Sequence, residues 1–224
     1  MNRPTKRLGL LSLGETPRPD TAAMFRAILG PGVEILERGA LDGLEPGERD
    51  RMLAGPGEVP LETHLRSGTP VGLSRARILP RLLAAADGLT RVCDRTLLMC
   101  SGEFPVLAEA CPGVIQPIWI LRGVVGAVAR DRKMGLIGPA EDLPEAPAQW
   151  RPYAPDVICA AASPSDPLAV AQAAGRDLAA RGARLVYLDC MGFTEEHRVA
   201  VRAAAGLPAL CATTLTARAL AELL

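Results

Sequence analysis

The sequence predicts an α/β protein of two similar lobes, each a mainly parallel sheet flanked by helices. Three observations carry that expectation. Short apolar runs alternate with helix-length amphipathic segments along nearly the whole chain, as in βαβ units. The apolar bulk is Ala, Leu and Val, with aromatic residues only 3% of the 224, which suits helices packed on a parallel sheet. Two of the runs end in a cysteine followed at once by a glycine-containing turn: Thr96-Leu97-Leu98-Met99-Cys100-Ser101-Gly102 and Leu185-Val186-Tyr187-Leu188-Asp189-Cys190-Met191-Gly192.

Taken in order, Leu8–Leu13 reads as a first strand ending in Gly14-Glu15-Thr16-Pro17-Arg18-Pro19-Asp20, with Asp20 as the N-cap of a helix near 21–29. Val33–Glu37 is a second strand. The charged segment 45–69, with Gly-Pro-Gly at 55–57, reads as a helix-and-loop excursion before Val71–Leu73, and Arg77–Ala86 forms a helix. The strand Arg95–Met99 delivers Cys100, a helix near 104–110 follows, and Cys111-Pro112-Gly113 stops it. Val114–Pro117 links to the apolar helix Ile118–Arg130, whose small Gly123, Gly126 and Ala127 allow close packing.

Lys133–Gly138 opens the second unit as the first strand opened the first, with Pro139 starting the next loop. Asp156–Ala161 is another strand. Ser163-Pro164-Ser165-Asp166-Pro167 then supplies a polar N-cap candidate and an early proline for a helix near 167–181. Arg184–Leu188 leads to Cys190, and Thr194-Glu195-Glu196 places a hydroxyl cap and two acids at the next helix start. Pro208–Cys211 is a last strand and Thr214–Leu224 a terminal helix. The predicted lobes are 1–116, joined by the C-terminal helix 212–224, and 117–211. The two halves show no residue-level repeat.

Composition narrows the function. Lys+Arg (25) equals Asp+Glu (25), so no global field draws in nucleic acid or an anionic membrane surface, and a small-molecule partner is expected. The run Leu8–Leu13 is too short for a signal-peptide core or a membrane span, which predicts a cytosolic protein. The cysteines, at 93, 100, 111, 159, 190 and 211, form no C-x-x-C pair and no Cys/His ligand spacing, so no metal and no disulfide framework is expected. Neither dinucleotide-binding, P-loop nor serine-hydrolase motifs occur in a suitable context.

Cys100 and Cys190 are the leading candidates for chemistry. A thiol at the carboxyl end of a strand lies where open α/β sheets place ligands. The amides of the Ser101-Gly102 and Met191-Gly192 turns can bind an anion while a following helix favours the thiolate. Two such thiols from different halves, facing each other across a cleft, would suit racemisation beside a carboxylate, which needs a base and an acid on opposite faces of one carbon. Packing of two small apolar residues is the bland alternative. Cys211, before Thr213-Thr214, is the one rival; Cys93, Cys111 and Cys159 read as packing. Thr16 and Arg18 place a hydroxyl and a guanidinium near the ligand edge, or form a rigid surface turn. Ser163 occupies the matching place in the second half and either binds substrate or caps a helix. His197, after Glu195-Glu196, reads as an exposed first helical turn, and His64 has no obvious partner.

The chain resembles the AroM protein family in Leu13-Gly14-Glu15-Thr16-Pro17-Arg18-Pro19-Asp20, in Glu37-Arg38-Gly39-Ala40-Leu41-Asp42, in the first cysteine turn, and in Leu188-Asp189-Cys190-Met191-Gly192-Phe193-Thr194. That family is similar to the aspartate/glutamate racemase superfamily, whose members use two α/β lobes with a cysteine from each at the interlobe cleft and need no cofactor. The resemblance implies Cys100 and Cys190 as acid/base thiols, with Ser101, Gly102, Met191, Gly192 and Phe193 in the substrate-binding turns. It also implies a homodimer. Ser101-Gly102 and Met191-Gly192 replace the Asn-Thr or Thr-His pairs that usually follow these cysteines, a departure that bears on the substrate. The expected activity is cofactor-independent racemisation or epimerisation of an amino acid or related carboxylate. The alternatives are one-cysteine isomerisation or decarboxylation of a small dicarboxylate, and non-catalytic carboxylate binding.

Overall fold

The computed structural model describes residues 6–224, and by compactness the chain divides after Gln116. The first unit runs β1 (Lys6–Ser12), α1 (Pro19–Leu29), β2 (Val33–Gly39), α2 (Pro46–Asp50), β3 (Leu61–His64), β4 (Pro70–Leu73), α3 (Arg75–Thr90), β5 (Arg95–Leu98), α4 (Pro105–Ala110) and β6 (Val114–Ile115). The second runs α5 (Pro117–Ala129), β7 (Met134–Gly138), α6 (Ala146–Trp150), β8 (Val157–Ala161), α7 (Leu168–Ala180), β9 (Leu185–Leu188), α8 (Glu195–Ala205), β10 (Ala209–Cys211) and α9 (Ala212–Ala221).

Each unit holds a four-stranded parallel sheet, ordered β2-β1-β5-β6 in the first and β8-β7-β9-β10 in the second. Parallel strands covered on both faces must be apolar throughout. Leu8, Leu11, Leu97 and Leu98, and their counterparts Met134, Ile137, Tyr187 and Leu188, are indeed fully buried. The units share this topology, and the register reveals a repeat the bare sequence hides. Leu11 pairs with Leu98 as Ile137 pairs with Leu188. Two residues earlier stand Gly9 and Gly135, and a Cβ on either would press into a helix leucine, Leu89 at 3.2 Å or Leu178 at 2.9 Å. Leu8-Gly9-Leu10-Leu11 therefore corresponds to Met134-Gly135-Leu136-Ile137.

Several expectations change. The 45–69 excursion contains β3, which pairs antiparallel with β4 in a hairpin, an insertion before α3 that the second unit lacks. Its strands are short and half-exposed, so they carry no strong apolar run. Asp20 lies in the first turn of α1, which begins at Pro19 with Arg18 as N-cap. Pro167, without a side-chain bond, caps α7. The terminal helix, expected to join the first lobe, belongs to the second unit, where α9 packs on α5. No helix among the described residues is long and apolar enough to cross a membrane.

Candidate active site

In both sheets the chain leaves its first strand to one side and returns to the other. The crevice above the carboxyl ends of β1 and β5, and of β7 and β9, is thus the ligand position of an open α/β sheet. The cysteines stand there at matching register. The Met99 amide donates to the Leu11 carbonyl at 2.8 Å and the Asp189 amide to the Ile137 carbonyl at 2.8 Å; the next residues are Cys100 and Cys190.

The two turns treat their sulfurs alike. Gly102 N–H points at Cys100 Sγ at 3.3 Å, and Gly192 N–H at Cys190 Sγ at 3.4 Å. An amide aimed at sulfur favours the anionic thiolate. The expected helix contribution is absent by geometry: α4 begins only at Pro105, and Thr194, the N-cap of α8, lies four residues beyond Cys190. The macrodipole acts within about one turn of a helix end, so the local amides take its place. Both thiols are half-buried.

Around Cys100, Arg75 reaches in from the start of α3. Its guanidinium carbon lies 4.4 Å over the Phe104 ring, and Nη1 donates to the Glu103 carbonyl at 3.0 Å. Phe104 is a fixed platform, buried and tied through its N–H and C=O to the Gln116 side chain at 2.9 Å each. Sequence reasoning missed Arg75 because the hairpin insertion brings it in from far along the chain.

The first-strand loop is pinned rather than open. Asp42 accepts the Thr16 N–H (2.8 Å), the Thr16 hydroxyl (2.5 Å) and the Gly39 N–H (2.7 Å). A Cβ on Gly39 would fall 2.1 Å from the Gly14 carbonyl, so the loops after β1 and β2 close on each other only with glycine there. Glu15 accepts from Arg49 (2.6 Å) and from the Arg66 N–H (2.7 Å), which holds its carboxyl below the ordinary range. The Thr16 hydroxyl proton is thereby committed within the protein. Arg18 donates its backbone N–H to Glu37 at 2.7 Å, and burial, helped by the Arg18 guanidinium, lowers the pKa of half-buried His64.

In the second unit, Ser163 follows β8, whose counterpart is β2; its match is the Asp42 loop, not that of Thr16 and Arg18. Ser163 N–H donates to Asp166 at 2.7 Å and its hydroxyl meets Ser165 at 2.9 Å. The adjoining Pro164 stands against the Cys190 turn, where a Cβ on Gly192 would meet it at 2.8 Å. Asp189 accepts from Trp150 Nε1 (2.7 Å) and the Tyr187 hydroxyl (3.0 Å), and burial together with that carboxylate keeps Tyr187 protonated. Met191 and Phe193 are buried, and the Phe193 amide donates to the Cys190 carbonyl at 3.2 Å, so these two shape the turn from beneath.

The other thiols stand apart. Burial pushes the pKa of Cys93, Cys111, Cys159 and Cys211 up. Cys211, the rival, is fully buried with its thiol toward the Phe193 carbonyl at 3.5 Å. His197 is half-buried rather than exposed, its Nδ1 accepting from the Thr194 amide at 3.2 Å as a helix cap.

Solved structures of similar fold agree with this architecture. Glutamate racemase from Bacillus anthracis aligns with TM-score 0.61 and 13% identity, over 99% of this chain and 82% of that one. Maleate cis-trans isomerase from Nocardia farcinica, a cysteine-to-serine variant with a covalently bound succinylcysteine intermediate, gives TM-score 0.60 and 15% identity over 97% and 91%. Allantoin racemase from Pseudomonas fluorescens gives 0.59 and 15% over 96% and 89%. No curated protein matches by sequence. The AroM protein family model matches residues 8–224, taking in the pinned Gly14–Arg18 and Gly39–Asp42 loops and both cysteine turns, and the chain belongs to that family.

Proposed function

We propose that the protein is a cofactor-independent racemase or epimerase of an amino acid or related small carboxylate, with Cys100 and Cys190 as its acid/base pair. The observation that carries this reading is the equivalence of the two turns: the same register, the same switch point, the same glycine amide aimed at sulfur. The thiolate of one cysteine takes the α-proton, the C–H electron pair passes into the carboxylate, and the thiol of the other returns a proton to the opposite face. Gly102 and Gly192 steady whichever sulfur is anionic. In this reading Ser163 and Arg18 bind the rest of the substrate, and Ser101 belongs to the first substrate-binding turn. The fold's similarity to racemases and an isomerase supports the reaction class.

The test is exchange in deuterium oxide, with single enantiomers of amino acids and of 2-hydroxy acids as probes and α-deuterium read by NMR. Wild type incorporates deuterium with one of them, and Cys100→Ala and Cys190→Ala each lose racemisation by a factor on the order of 10³ or more. Exchange that survives both substitutions removes the thiols from the mechanism. Full turnover with one cysteine absent points instead to single-cysteine chemistry.

A further inference from the structure

We propose that Arg75 is the residue that receives the substrate carboxylate attached to the reacting carbon, beside Cys100. The proposal rests on Cys100 being a reacting thiol and adds what holds the substrate there. Cys100 Sγ and Arg75 Nη2 both lie within 4 Å of one point, the position a Cβ on Gly102 would occupy, at 3.4 and 3.9 Å. That point is empty because residue 102 is glycine. A carboxylate at the guanidinium would leave its neighbouring carbon within reach of the sulfur.

The guanidinium is oriented without being neutralised. Stacking on Phe104 sets its plane and the Glu103 carbonyl engages Nη1, while no carboxylate pairs with Arg75 among the described residues. By contrast Arg49, Arg66, Arg77, Arg91, Arg181 and Arg198 all have acidic partners. An arginine fixed in plane, lacking an anion and set at a nucleophile is built for a ligand carboxylate, which guanidinium grips by two parallel hydrogen bonds. The same group does more as the reaction proceeds. When the C–H bond breaks and S–H forms, the electron pair moves onto the carboxylate oxygens, and a fixed cation stabilises that added charge. The substrate class narrows accordingly to compounds with a carboxylate on the carbon that loses its proton.

Alkylation tests this without knowledge of the substrate. Iodoacetate and iodoacetamide both transfer a two-carbon group to a thiolate with loss of iodide, and only the first carries a carboxylate. Rates at each cysteine are read by peptide mass spectrometry, and the ratio of iodoacetate to iodoacetamide rate cancels any general change in thiol reactivity. The ratio in wild type should be higher at Cys100 than at Cys190. Arg75→Gln should lower it at Cys100 about tenfold, the equivalent of one charge-assisted hydrogen bond, and leave Cys190 unchanged, with Arg75→Lys intermediate. An unchanged ratio in Arg75→Gln, a wild-type ratio no higher at Cys100 than at Cys190, or a Cys100 inert to both reagents overturns the proposal. Deuterium exchange fails separately if the racemase reading is wrong, so the two ideas fall to different results.

Discussion

Asp189 is the residue on which the second cysteine turn hangs, and its effect belongs to single hydrogen bonds. Its carboxylate takes the Trp150 indole N–H and the Tyr187 hydroxyl, from two side chains that are fully buried and stack edge to face at 5.0 Å between centroids. Removing the acceptor leaves two buried donors without their partner. Asp189→Ala should therefore destabilise the protein by about 3 kcal/mol in urea unfolding, since each unsatisfied buried donor costs about 1–3 kcal/mol. A loss below about 1 kcal/mol would show that the two donors find other partners. The glycines of the turns divide on the same local grounds. A methyl at Gly102 meets Cys100 Sγ at an ordinary 3.4 Å, whereas at Gly192 it strikes Pro164 at 2.8 Å.

Among the elements, α8 carries a titrating cap. Thr194 and His197 form a reciprocal box in which Nδ1 accepts the Thr194 amide at 3.2 Å, a bond that protonated imidazole cannot accept. Burial lowers the His197 pKa below its ordinary 6.5. The unfolded chain therefore binds this proton more readily, and the cap's stability is present above pH 6.5 and drains away as pH falls through the lower folded value. His197→Gln keeps an acceptor at that position and removes the titration. Chemical denaturation between pH 7.5 and 5 should show a shallower loss of stability in this variant than in wild type. Some slope persists, because His64 also has a lowered pKa. Parallel curves for the two proteins would refute the cap's role. The pinned loops after β1 and β2 show a different kind of element-level control: the family's two amino-terminal motifs are halves of one hydrogen-bonded unit centred on Asp42.

At the scale of the whole molecule, two sheets of one topology set where stability is concentrated. The central strands β1, β5, β7 and β9 are buried on both faces, while the β3–β4 hairpin is half-exposed and two-stranded. Native-state hydrogen exchange should accordingly find the hairpin amides opening first and those of the four central strands last. Uniform protection across hairpin and sheets would contradict that ordering. The alternation of apolar runs and amphipathic segments was enough to specify the α/β class, seven of the eight parallel strands and the two cysteine turns, because a strand buried on both faces must be continuously apolar; β6, two residues inside the stretch read as a link, is too short to show that pattern. The turn after each strand was equally legible in Gly102 and Gly192. What the sequence could not show were relations between distant residues. The equivalence of Gly9 with Gly135 appears only through strand register, and the Thr16–Asp42 bonds through loops that the sheet brings together. Arg75 reaches Cys100 only because the chain folds back after the β3–β4 hairpin, and the end of a long side chain is positioned by packing that no local pattern encodes.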